Sequence, residues 1–116
     1  MNHKFEPLDQ ETWIQGDYRY GATISAKKHS IESLAKLAGA TLNHFREDGL
    51  GPGRSFGLRL STGRQVAFEQ YENGAAEVSL IVRFEDGSCS APEIWQALEL
   101  FHVHRSEVTW VASEAK

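Results

Sequence analysis

Cysteine and long apolar runs are both scarce in this sequence, and each shortage limits what the protein can be. Only Cys89 among the 116 residues is a cysteine, so no internal disulfide can form, and a reducing cytoplasmic setting fits best. No apolar run reaches the roughly 18 residues that a membrane-spanning helix needs. The first residues, MNHKFEPLDQETW, contain no apolar segment typical of a signal peptide. We therefore expect a cytoplasmic protein that does not use a membrane.

Positive charge is also limited, and it is unevenly distributed. The formal net charge is −4; residues 1–64 contain nine Lys and Arg against seven Asp and Glu, and residues 65–116 contain three against nine. A nucleic-acid-binding face needs clustered positive charge, so the composition argues against nucleic acid as a partner. The acidic C-terminal half would attract a basic protein and speed its association. The alternative is that this charge only keeps the protein soluble.

Length and composition predict a single folded domain. Hydrophobic residues make up 41% of the chain and charged residues 24%, which is ordinary for a globular protein. A chain of this length has room for one domain. We expect residues 1–17 to form an N-terminal extension that docks on the body through Trp13 and Ile14. Residues 18–116 then form a single α+β domain.

Alternating apolar residues predict the strands. One strand begins at Tyr18, three follow between Phe56 and Phe84, and a short one covers residues 107–111. The Asn73-Gly74 pair is a strong hairpin signal, because both residues tolerate positive φ. The three central strands therefore form an antiparallel meander with one apolar face and one polar face.

Helical spacing predicts two helices that cover the apolar face of this meander. The first is capped by Ser30 and continues past Gly39 to about Asp48, and the second begins at the capping box that Ser90 opens. The predicted order is β-α-β-β-β-α-β, an antiparallel sheet of four to five strands with two helices on one face. The expected core consists of Leu34, Ala38, Leu42, Phe56, Leu58, Leu60, Val66, Phe68, Val78, Leu80, Val82, Phe84, Ile94, Leu98 and Phe101.

Two histidines near the C-terminus, His102 and His104, most resemble a chemical site. Because one residue separates them, their side chains on a helix would point about 200° apart and would not share a ligand. A zinc site needs further ligands, and no spacing links Cys89, His29 or His44 to this pair. Cationic side chains suit the exposed carbonyls at a helix end. We therefore expect a helix-end role with no metal and no cofactor, and a partner contact or a pH response remains as an alternative.

No catalytic motif is visible. The glycine-rich segment 49–57 lacks the Lys-Ser/Thr pair of a phosphate-binding loop and follows a helix, so we interpret it as a connector. Cys89 precedes a helix start, where a thiol can be reactive, but a small residue in a tight turn is the plainer interpretation. We expect a protein that is not an enzyme. The alternative is a small enzyme or ligand-binding domain that uses His102 and His104.

The polar face of the predicted hairpin is the best candidate for a binding surface. Tyr71 and Ile81 are an aromatic and an aliphatic residue among charges, a combination typical of protein-binding patches. Glu69 and Glu77 lie on the same predicted face, and Glu72 borders the turn. We predict that these five residues contact a basic protein partner.

Small size, an acidic stretch from Glu69 to Glu114 and a meander from Ser55 to Glu85 together resemble the immunity proteins of bacterial polymorphic and contact-dependent toxin systems. The resemblance involves no shared motif. It implies a non-catalytic protein that binds a cognate toxin tightly and neutralises it, and such toxins are often basic nucleases. No site residue can be transferred, because those proteins share no common site.

A second class of small acidic proteins, the type III secretion chaperones, is similar to the stretch from Ser30 to Val111. Their pattern has no strand equivalent to the one at Tyr18, and it continues with a strand and a helix beyond the point where this sequence ends. A secretion chaperone is therefore the alternative binding function. The sequence leaves open whether the protein is a monomer or a dimer.

Overall fold

The computed structural model describes residues 5–8, 18–47, 49, 51–61, 63–72, 76–83 and 91–112. These residues form an antiparallel sheet of seven strands and two helices. The α+β class, the antiparallel sheet and the two helices are as predicted, but the strand count and order differ. The strands are β1 (Phe5–Leu8), β2 (Tyr18–Ser25), β3 (Asn43–Glu47), β4 (Gly51–Leu60), β5 (Gln65–Tyr71), β6 (Glu77–Arg83) and β7 (Val108–Val111). The helices are α1 (Ile31–Ala38) and α2 (Ala91–Leu100), and a single 3-10 turn covers Arg105–Glu107.

Pairing in the sheet follows the order β1, β4, β5, β6, β2, β7, with β3 also paired to β4. The ten-residue β4 is long enough to pair with both, because β3 pairs with residues 51–55 and β1 with residues 57–60. β2 lies between β6 and β7. This strand therefore joins the meander β4-β5-β6 to the C-terminal strand.

One face of the sheet, which we call the helix face, is covered by both helices. Its strand residues and the apolar sides of α1 and α2 form a single buried cluster, in which Phe68 stacks on Phe56 at 5.5 Å and meets Phe101 edge-on at 4.9 Å. Burying side chains of this size contributes about 1.5–3 kcal/mol each. The predicted core is buried here, except that Leu42 is only partly buried and Phe84 lies outside the described residues.

The opposite face, which we call the far face, is not uniformly polar. It carries a small apolar cluster of Ala67 and Ile81, against which Leu8 packs. The β1 strand that contains Leu8 was not predicted, and it pairs along β4 within the segment that we expected to be a docked extension. The predicted docking residues Trp13 and Ile14 lie outside the described residues.

The first helix is much shorter than predicted. It ends at Ala38, and Gly39 follows in the left-handed conformation with φ 69°. The N–H of Ala40 bonds to Ala35 O at 2.9 Å, and the N–H of Gly39 bonds to Lys36 O at 3.1 Å. These two bonds form a Schellman motif, which satisfies the last carbonyls of a helix and turns the chain away. Gly39, which we interpreted as an interior residue of a longer helix, in fact ends the helix.

Two predictions about the segment after this stop were wrong. Phe45 continued the helical spacing by coincidence, and it lies on β3. The glycine-rich connector is in fact the first half of β4, where Gly53 pairs with Phe45 and with Tyr71. A Cβ at Gly53 would stand 2.6 Å from Phe45 Cζ, so the ring occupies the space that a side chain would need. Gly53 is needed because the Phe45 ring packs closely against its backbone, and not because the chain turns there.

An irregularity in β2 changes which of its side chains share a face. In a strand that alternates regularly from Tyr18, Tyr20 and Ala22 would point to the same face. Tyr20 pairs with Ile81 and Ala22 pairs with Leu80, so Gly21 is an extra residue between two consecutive pairs. This β-bulge places Tyr20 on the far face and Ala22 in the core.

Candidate protein-binding surface

The two C-terminal histidines lie at the end of α2, as the sequence predicted. The N–H of Val103 bonds to Leu98 O at 3.1 Å, and the N–H of His102 bonds to Glu99 O at 3.0 Å. This is the same Schellman motif that ends α1, with His102 at φ 59° in the position that glycine usually takes. Both histidine side chains are exposed. Their main structural contribution comes from the backbone and not from the ring.

A third histidine holds the segment between α2 and β7 on the body of the protein. His29 Nε2 lies 2.8 Å from Glu107 Oε1, and the N–H of His104 donates to the same oxygen at 2.9 Å. Lys28 Nζ lies 3.9 Å from Glu107 Oε2. The backbone bond from His104 first, and then the hydrogen bond and charge of His29 and the charge of Lys28, lower the pKa of Glu107 below its ordinary value.

This arrangement has the geometry of a structural clamp. Within the ranges that the structure describes, no group of three or more His, Cys, Asp or Glu residues is placed to hold a metal ion. Arg105 adds to the clamp, because its guanidinium stands 4.2 Å from the centre of the Trp95 ring. The histidines and Glu107 therefore fix the turn that leads into β7.

The five predicted binding residues do not all lie at the surface. Glu69 is 6% exposed and Ile81 is 2% exposed, so our expectation that both are displayed was wrong. Tyr71 and Glu77 are half-buried, and Glu72 is exposed. The reason is the apolar cluster on the far face, which makes the middle of that face part of the interior. Whether any of the five contacts a partner remains a prediction.

Two aromatic side chains that we did not predict as site residues are exposed on the far face. Tyr20 is 42% exposed, and its hydroxyl donates to Glu69 Oε1 at 3.2 Å. Trp110 is 47% exposed and pairs with Thr23 on the neighbouring strand. The alternation in β2 concealed Tyr20, because the bulge at Gly21 leaves no clear trace in a single sequence.

Acidic groups border these aromatic residues. Glu77 accepts a hydrogen bond from the hydroxyl of Thr109, which itself lies 2.7 Å from the hydroxyl of Thr23. On the other side, Tyr71 meets Phe45 edge-on, with the ring centres 5.5 Å apart. The far face thus combines rings, hydroxyls and carboxylates on hydrogen-bonded strands.

Comparisons with known proteins find no match to this chain among protein-family models, curated proteins or solved structures. Among the described helices, none is long and apolar enough to cross a membrane. The geometry of the far face is therefore the basis for any statement about function.

His102 provides a test of the helix-end assignment. A non-glycine residue in the left-handed conformation is strained, so His102→Gly should raise the free energy of unfolding by about 0.5–1 kcal/mol. Gly39→Ala, at the equivalent position of α1, should lower it by a similar amount for the same reason. Urea denaturation measures both. A His102→Gly variant that is clearly less stable than the wild type would show that the imidazole ring itself holds the turn.

Glu107 provides a test of the clamp. When folding lowers the pKa of a carboxyl group, the group stabilises the protein at pH values above its ordinary pKa of 4.5. This contribution is lost as the pH falls through the lowered pKa. Glu107→Gln should therefore be less stable than the wild type at neutral pH, and the difference should shrink in acid. Glu99→Gln, an exposed residue on α2, is the control and should change little. A pH-independent difference for Glu107→Gln would contradict the clamp.

Proposed function

We propose that this chain is a non-catalytic protein-binding protein, an immunity protein that binds a cognate bacterial toxin with a basic surface and neutralises it. The observation that carries the proposal is Tyr20, a large aromatic side chain exposed on the far face beside a buried carboxylate. Tyrosine is enriched among the residues that dominate binding energy, because one ring offers both apolar area and a polar tip. The resemblance to immunity proteins in size and charge supports the toxin as the partner.

The residues around Tyr20 hold its side chain in one orientation. Its strand partner Ile81 is buried, and its hydroxyl is held by Glu69. A side chain that is already oriented loses little conformational entropy when a partner covers it. Glu69 and Ile81 thereby acquire a different role from the one predicted: they position Tyr20 and do not themselves meet the partner.

Charge around the far face favours a basic partner. Glu77 lies on the far face, where its carboxylate accepts a hydrogen bond from the uncharged hydroxyl of Thr109. The whole stretch 65–116 has nine acidic and three basic residues. Negative potential of this kind speeds the encounter with a positively charged protein.

The partner that tests this proposal is the protein encoded by the gene next to this one. Its expression alone should arrest growth of a bacterial host, and co-expression of this chain should restore growth. The purified proteins should form a stable complex with one copy of each. Normal growth in the absence of this chain, or a complex that leaves the activity of the partner intact, would contradict the proposed function.

Tyr20 should be an anchor of that complex. Tyr20→Ala should weaken binding by more than about 1–2 kcal/mol, mainly through faster dissociation, because a buried ring is lost from the interface. Tyr20→Phe keeps the ring and removes the bond to Glu69, so it should lose less. Leu37→Ala, which removes an exposed apolar side chain from α1, is the control. Surface plasmon resonance measures the rates, and equal losses in Tyr20→Ala and Leu37→Ala would place the interface elsewhere.

Glu77 should contribute local electrostatic attraction. Glu77→Lys reverses one charge on the far face and should slow association, with a loss that shrinks at high salt because salt screens the field. Glu99→Lys makes the same change in net charge on α2, whose apolar side packs on the opposite face. Stopped-flow association rates at several salt concentrations compare the two. If both variants slow association equally, net charge alone matters, and the far face is not the contact surface.

A further inference from the structure

Among the described strands, β7 lies at the edge of the sheet. It pairs with β2 on one side, and across the described residues no strand pairs with its other side. Natural sheet edges are usually protected by charged side chains or proline, and the sequence Val-Thr-Trp-Val contains neither. Trp110, at the middle of this strand, is 47% exposed. Within the part of the chain that the structure describes, the outer edge of β7 therefore combines a large, half-exposed apolar side chain with backbone groups to which no strand is paired.

The pairing of β7 with β2 contains a β-bulge at Thr109. Because of this bulge, the sequence of faces to which the side chains of β7 point is the same from either end of the strand. Val108 and Val111 pack against the helix-face cluster. Trp110 is paired with Thr23, and the hydroxyl of Thr109 also meets Thr23, so both lie on the far face. From either end the order is helix face, far face, far face, helix face. In a regular four-residue strand the faces alternate, and reversing such a strand would exchange them.

We propose that two copies of this chain pair through the outer edges of β7, antiparallel, about a two-fold axis between Thr109 and Trp110. Val108 then lies opposite the partner's Val111, and Thr109 lies opposite the partner's Trp110. The valines continue the apolar helix face across the axis. The two indole rings cover each other on the far face. This inference does not depend on the proposed function.

The symmetric order of side chains along the edge selects a second copy as the occupant. The four residues of β7 carry no charge, so pairing two copies places no like charges directly opposite each other on these strands. A two-fold interface needs only a surface that complements itself. Four residues from each chain bury less than the roughly 1,200 Å² of a stable interface. The dimer is therefore weak and forms at high protein concentration.

The backbone N–H of Val111 allows strand pairing to be distinguished from contacts made by side chains alone. The N–H of Ala112 bonds inward to Gly21 O at 2.8 Å. Neighbouring residues of an antiparallel strand direct their N–H groups to opposite sides, so the N–H of Val111 points outward. Val111→Pro removes this donor and leaves the inner bonds to β2 in place.

Sedimentation equilibrium from micromolar to millimolar concentration tests the dimer. The average mass of the wild type should rise from that of one chain toward that of two. Trp110→Lys and Val111→Pro should remain at the mass of one chain, with circular dichroism verifying that both are folded. Leu37→Lys, which places the same charge at an equally exposed apolar position on α1, should behave like the wild type.

Amide hydrogen exchange of the wild type gives a second measurement that needs no variant. Exchange at the Val111 N–H should slow as the protein concentration rises, whereas exchange at the exposed residues of α1 should not change. A wild type that stays monomeric over the whole range would overturn the proposal. So would a dimer that persists in both Trp110→Lys and Val111→Pro, or a Val111 amide whose exchange is independent of concentration.

Discussion

The placement of β2 between β6 and β7 is the constraint on which the rest of the structure depends. β2 must match two neighbours at once, and each of its pairings contains one irregularity. The extra residue on the β6 side is Gly21, where a Cβ would stand 3.2 Å from Val82 Cγ2 and 3.5 Å from Ile94 Cγ1. The contact with Ile94 on α2 would be an ordinary one, but Val82 on β6 would have to shift to accommodate a side chain at this position. The bulge then places Ala22 in the core and leaves Tyr20 outside.

The C-terminal part of the chain depends on this placement in turn. α2 ends at a Schellman motif, the turn that follows is held by Glu107 against His29, and β7 then pairs with β2. The side chains of His29 and Glu107 and the backbone N–H groups of His102 and His104 therefore have a structural role here, because they fix the direction in which the chain leaves α2 toward the last strand. The direction of this strand determines that β7 forms an uncharged edge of the sheet and that the ring of Trp110 is exposed.

The strongly periodic elements could be predicted from the sequence, and the irregular ones could not. The central meander, α2 and the start of α1 at Ser30 are confirmed, because their apolar residues repeat over several turns or pairs. β3 was missed because Phe45 continued the helical spacing beyond Gly39. The burial of Glu69 and Ile81 was missed because an alternating pattern shows which residues share a face and does not show what covers it. Tyr20 was missed because one inserted glycine reversed the alternation.

The central claim is that the far face is the surface that meets the partner. Hydroxyl-radical footprinting with mass spectrometry tests it directly, because aromatic side chains are oxidised in proportion to their exposure. The experiment compares the free chain with the chain saturated by the proposed partner protein. Our account predicts that oxidation of Tyr20 falls several-fold on binding while oxidation of Leu37 on α1 and Trp95 on α2 is unchanged. Protection of Leu37 or Trp95, with Tyr20 oxidised as in the free chain, would contradict it.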